Sequence, residues 1–135
     1  MKLLVTLSML TLAGFCLAQN TTGVVSDTRY DQKDLSLGQV DCTILESDGF
    51  ITLGGAPAFP FIGGVPAITL GDDPLCGTCW ELNFEGTVVN IFAVDAGIGH
   101  VFHITTEAMT ALTGNSTVQS VTATFRQVSS SVCPS

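Results

Sequence analysis

The sequence predicts a small, mainly β domain of barrel or sandwich type, held together by disulfides. Three observations point there. Apolar and polar residues alternate through 80–85 and again through 121–126, the period of half-buried strands. The stretch 49–71 carries no charge, is rich in glycine and contains Pro57, Pro60 and Pro66, which excludes a long helix. Cys42, Cys76, Cys79 and Cys133 are spread along a short chain that opens with an export-type leader.

The leader is residues 1–18. Lys2 supplies a positive start, 3–17 is an apolar run, and Cys16-Leu17-Ala18 places small residues where a signal peptidase reads. The run is shorter than the roughly 20 residues of a membrane-spanning helix. Cleavage after Ala18 leaves residues 19–135 as one domain in an extracellular setting, the cell wall included. Losing Lys2 moves the formal charge one unit below the −8 of the full chain and leaves Arg29, Lys33 and Arg126 as the basic residues. Such a surface repels nucleic acid and anionic lipid and suits a neutral partner such as a carbohydrate.

The elements follow in order. Residues 19–34 are polar, and Arg29-Tyr30-Asp31 mixes charge with an aromatic ring. Residues 35–42 alternate loosely and read as a first strand. The stretch 49–71 reads as an irregular segment packed on the core through Phe50, Phe59, Phe61 and Ile62; the alternative is an apolar surface patch. Trp80, Leu82 and Phe84 alternate with Glu81, Asn83 and Glu85, Glu85-Gly86 turns the chain, and 88–94 returns as a more buried strand. Ile104, Ala108 and Leu112 fall four apart on one helical face, with Thr105 or Thr106 to start a helix and Gly114 to end it. Val121, Ala123 and Phe125 then mark a last strand.

An even number of cysteines in an exported chain implies two disulfides, with three possible pairings. A direct Cys76–Cys79 bridge closes a very small loop and staples little. Pairing Cys42 with Cys76 and Cys79 with Cys133 ties both ends of the domain to its middle and is favoured. Sequons at Asn20 and Asn115 are candidate glycan acceptors, Asn115 beside Gly114 in an expected turn.

Few residues stand out for chemistry. Cys76-x-x-Cys79 and His100-x-x-His103 imitate a zinc ligand set, but the histidine gap is short and export makes the cysteines half-cystines. The chain shows no nucleophile elbow, phosphate loop or calcium loop, and no cofactor or metal is expected. Asp95 ends an apolar strand and a glycine-rich segment follows it. A carboxylate so placed can accept hydrogen bonds from sugar hydroxyls or act as an acid; its ordinary role is to bond turn amides. Glycoside hydrolysis normally takes two carboxylates, and the spacing singles out no second one.

Taken together, Tyr30-Asp31, Val40-Asp41-Cys42, Ser47-Asp48-Gly49, Thr52-Leu53-Gly54, Phe59-Pro60, Ile62-Gly63-Gly64, Cys76-Gly77-Thr78-Cys79-Trp80, Val94-Asp95, the run Ala108-Met109-Thr110-Ala111-Leu112-Thr113-Gly114 and Cys133 resemble the cerato-platanin family of small secreted fungal proteins. The resemblance spans nearly all of 19–135. It implies a six-stranded double-psi β-barrel of expansin-like architecture with one or two short helices, and the Cys42–Cys76 and Cys79–Cys133 pairing. It also implies a non-catalytic protein that binds chitin or N-acetylglucosamine oligomers, loosens wall polysaccharides, self-assembles at interfaces and is perceived by a host as an elicitor. Asp95 matches the family's groove aspartate, and Asp31 is a second groove candidate. Val101-Phe102-His103-Ile104 stands where the family often has Gly-Phe-Asn-Ile, so His103 replaces a groove asparagine. The competing expectations are a glycan-cleaving enzyme using Asp95 and a surface-active wall protein using 50–70.

Overall fold

The computed structural model describes residues 20–133; the expected leader, 1–18, lies outside them. Six strands close into a barrel: β1 (Thr21–Ser26), β2 (Ile62–Val65), β3 (Cys79–Phe84), β4 (Thr87–Ala96), β5 (Phe102–Ile104) and β6 (Ser120–Val128). Their order around the barrel is β1-β5-β2-β4-β3-β6. β1 pairs with β5 in parallel, as does β2 with β4, and the remaining four pairings are antiparallel. One helix, α1 (Thr106–Thr113), and several 3-10 turns pack outside. This is the six-stranded fold that the resemblance implied.

Local chemistry explains most elements. Glu85 (φ 50°) and Gly86 (φ 87°) form the two-residue, positive-φ turn that matches strand twist in a hairpin. It sets β3 against β4 with Phe84 opposite Thr87 and Cys79 opposite Phe92. Inward residues such as Leu82, Ile91, Phe102 and Ile104 are fully buried. Trp80, Phe102 and Phe125 form an aromatic triangle with centroids 5.4–6.2 Å apart, each such pair contributing about 0.5–1.5 kcal/mol beyond its burial. Thr105 Oγ1 accepts from the Ala108 amide and caps α1; Gly114 (φ 71°) ends it, its amide donating to Thr110 O. The helix buries Ala108, Met109 and Leu112. Ile104, expected on that helical face, belongs to β5 instead: its backbone is engaged by β1 and β2.

Two expectations change. Residues 35–42 form no strand. Leu37–Gln39 is a 3-10 turn, and Leu37 and Val40, three apart, are buried together as that period allows. The first strand is β1, in the stretch read only as polar. The stretch 49–71 does pack on the core through Leu53, Ala56, Ile62, Val65 and Ile68, but it also contains β2 and leaves Ile51 and Leu70 exposed.

Both favoured disulfides are present. Cys42 bonds Cys76 and Cys79 bonds Cys133. This removes Cys76 and Cys79 as metal ligands. Among the described residues no group of His, Cys, Asp and Glu is arranged to hold a metal, and no helix is long and apolar enough to cross a membrane.

Candidate functional site

The three candidate site residues all attach to one short segment. A 3-10 turn, Thr28–Asp31, crosses the outside of the barrel just after β1. Asp27 caps it: Oδ1 accepts from the Arg29 amide at 3.0 Å. The other oxygen, Oδ2, lies 3.2 Å from His103 Nδ1. At the far end, Asp31 caps α1 twice. Its Oδ1 accepts from the Thr106 amide at 2.8 Å and Oδ2 from Thr106 Oγ1 at 2.9 Å. A carboxylate at a helix start also meets the positive end of the helix dipole.

Asp95 sits beneath the middle of the segment, on β4. Its Oδ1 accepts from the amides of Asp41 (2.8 Å) and Ala96 (2.9 Å). Its Oδ2 accepts from Tyr30 Oη (2.9 Å) and Arg29 Nη1 (3.2 Å). The ordinary role of a turn aspartate is thus present, with a side-chain pair added. Burial raises the Asp95 carboxyl above its usual range, opposed by the hydrogen bonds from Asp41 and Tyr30. Burial, then the neighbouring Asp95 charge, pushes the Tyr30 phenol far above the ordinary phenol range.

Strand register brings these groups together. Gly64 of β2 is paired with Asp95 on one side and His103 on the other. A Cβ at Gly64 would lie 2.6 Å from Ala96 O and 2.9 Å from Tyr30 Oη. The glycine is therefore what lets the tyrosine lie over β2 and reach Asp95. His103 stands between the buried Phe102 and Ile104 and turns outward, its Nε2 2.8 Å from Ile98 O.

Sequence reasoning named Asp95, His103 and Asp31 but missed Arg29 and Asp27. The signal for Arg29 was available: it is one of few cations and adjoins the Tyr-Asp pair. Arg29 bridges Asp95 and the backbone oxygen of Gln39. Gln39, with Asp31, Gln32, Lys33 and Asp34, lines an open cleft of about 560 Å³. A second cleft of about 280 Å³ lies at the other end of the turn, lined by Ser26, Asp27, Thr28, Thr106, Ser116 and Gln119. Leu35 completes the lining of the first cleft and Val118 that of the second, and the remaining side chains of both are polar.

The two sequons differ. At Asn115, Oδ1 accepts from the amide and hydroxyl of Thr117 at 2.9 and 2.7 Å, in an exposed turn. At Asn20, Thr22 is already within β1 and its hydroxyl donates to His100 O.

A closed barrel with two disulfides and shallow polar clefts around a pinned turn defines a class: small, disulfide-stapled β-barrels that present a polar surface groove. Within that class the chain belongs to the cerato-platanin family, whose model matches residues 22–135. It is 36% identical over 115 residues to "Allergen Asp f 15" of Aspergillus fumigatus, spanning 81% of this chain and 74% of that one. It is 40% identical over 90 residues to "Cerato-platanin" of Ceratocystis fimbriata f. sp. platani, spanning 61% of this chain and 63% of that one. Among solved structures, the solution structure of the fungal elicitor cerato-platanin superposes with a TM-score of 0.75 at 35% identity, covering 83% of this chain and 96% of that one. Cerato-platanin 2 from M. perniciosa superposes at 0.76 with 30% identity, covering 84% and 98%.

Proposed function

We propose that this chain is a secreted, non-catalytic carbohydrate-binding protein that takes neutral, N-acetylated sugar oligomers of the chitin type along the outer face of the 27–31 segment. The observation that carries this is the pair of open polar clefts flanking one rigidly pinned turn. Shallow grooves walled by hydroxyl, amide and carboxylate groups offer the alternating donors and acceptors that a polyhydroxylated chain needs. The acidic net charge adds to this, since it disfavours anionic polymers. A relative described as a fungal elicitor supports action outside the cell, where a host receptor perceives the protein.

The non-catalytic part of the reading rests on Asp95. Each of its oxygens accepts two hydrogen bonds, so neither has a free position to carry the proton that an acid would give to a glycosidic oxygen. Titration of tri-N-acetylchitotriose into isotope-labelled protein tests the binding reading. Shifts are expected at Arg29, Asp31, His103 and Gln39; unmoved signals at millimolar sugar would refute it. Product analysis after long incubation with chitin, beside Asp95→Asn, tests for cleavage; soluble fragments from the unsubstituted protein alone would make it an enzyme.

A second reading has its own observation. Phe50, Pro57, Phe59 and Phe61 line an apolar groove of about 490 Å³, and Phe61 continues it toward Val88 and Val132. An apolar face of this kind supports assembly at air–water or wall interfaces. Surface tension no lower than that of an ordinary globular protein at equal concentration would dismiss it.

A further inference from the structure

The geometry points to Arg29 as the residue that touches the sugar, with Asp95 acting as its positioning residue. This rests on the saccharide-binding reading above and deepens it.

Asp95 is a poor ligand group by position and by valence. Its side chain is 5% exposed. A carboxylate offers about four acceptor sites. Four donors already fill them: the Asp41 and Ala96 amides, Tyr30 Oη and Arg29 Nη1. A sugar hydroxyl could bond Asp95 only by displacing one of these.

Arg29 is the opposite case. Its side chain is 40% exposed. A guanidinium carries five N–H donors in a fixed plane. Two are spent, Nη1 on Asp95 and Nη2 on Gln39 O. Three remain, held in orientation by those two contacts. A donor group whose geometry is fixed before binding loses little freedom on binding. Gln39 forms part of the larger cleft wall, so the fork is held beside that opening. The other candidates are committed: Asp31 to Thr106, and His103 to Asp27 and Ile98.

The surroundings define the ligand class. Asp27, Asp31, Asp34 and Asp95 cluster about this segment against only Arg29 and Lys33, and Lys33 is paired with Asp34. The local field is negative, so a uronate carboxylate is disfavoured. An uncharged acceptor, the carbonyl oxygen of an acetamido group or a ring hydroxyl, fits the free donors.

The test is a double-mutant cycle read by calorimetry, with tri-N-acetylchitotriose and trigalacturonate as probes. Arg29→Ala should weaken binding of the neutral trimer at least tenfold, and Arg29→Lys should restore only part of it. Asp95→Asn should weaken binding too, while broadening or shifting the Arg29 Nε resonance in the free protein. Asp95→Asn added to Arg29→Ala should cost nothing further, because the aspartate acts through the arginine. Wild-type affinity in Arg29→Ala would overturn the assignment and leave the saccharide reading standing. An additional loss in the double variant would make Asp95 a direct ligand and overturn its positioning role. Preference for trigalacturonate would overturn the ligand class. Absence of binding by the unsubstituted protein to either probe would overturn both readings together.

Discussion

Tyr30 donates its hydroxyl proton to Asp95 Oδ2 over 2.9 Å, joining two residues 65 positions apart. Tyr30 is the single tyrosine of the chain, so tyrosinate absorbance reports on it alone. Its folded-state phenol lies above the unfolded value of about 10. The stabilisation that burial, the Asp95 charge and this bond give the neutral phenol is therefore complete below about pH 10 and is lost as pH rises, because the unfolded chain releases this proton first. Stability should fall by about 1.4 kcal/mol per pH unit above that point from this group. Tyr30→Phe should be less stable by about 1.5–3 kcal/mol at pH 7. Its gap to the unsubstituted protein should narrow above pH 10 in denaturant titrations. Tyrosinate absorbance that appears well before unfolding would refute this.

Gly64 makes that contact possible, and its replacement should show it. In Gly64→Ala the new methyl group meets Ala96 O and Tyr30 Oη at distances no side chain tolerates. The variant should lose about 1–3 kcal/mol of stability. Its Tyr30 should titrate at lower pH than in the unsubstituted protein, ahead of unfolding. A tyrosine titration unchanged by the substitution would mean that β2 shifts and the node stays intact.

The disulfides close loops of different length. Cys42–Cys76 spans 34 residues and Cys79–Cys133 spans 54. Chain entropy assigns each about 4 kcal/mol, with the longer loop a few tenths higher. Paired Cys→Ala variants, measured by denaturant unfolding, should each lose a large part of the total stability, and Cys79→Ala/Cys133→Ala slightly more. Retained stability in either would mean that the barrel's core alone suffices.

Asn115 and Thr117 lie together in an exposed turn, whereas the Asn20 sequon has Thr22 held within β1 with its hydroxyl on His100 O. Protein secreted from a fungal host should carry glycan at Asn115 and not at Asn20. Intact-mass analysis with and without glycosidase, beside Asn115→Gln, checks this. An unshifted mass on enzymatic deglycosylation would refute it.

What the sequence made legible was local. The β3–β4 hairpin shows in the alternation around Trp80, and α1 in the Thr105 and Gly114 caps. β1 was hidden because Thr21–Ser26 is short and polar at its start, and its partners, β5 and β6, lie far along the chain. The loose alternation of 35–42 satisfied a strand pattern that a 3-10 turn satisfies equally well. At the site, Asp95 was visible as a carboxylate closing an apolar strand. Its partners were not, because Arg29, Tyr30 and Gly64 reach it through barrel closure and not through spacing. His103 was marked by a departure from its family's pattern, and its bond to Asp27 became visible only in three dimensions.

The closure of the barrel has a consequence for how this protein meets others. Every one of its six strands has a neighbour on both sides. Among the described residues no strand edge is left whose amides and carbonyls could recruit an extended segment from another chain. Contacts that another molecule makes with the barrel are thus confined to side chains and loops. That restriction lets a chain with an apolar groove reach high concentration without templating cross-β fibres.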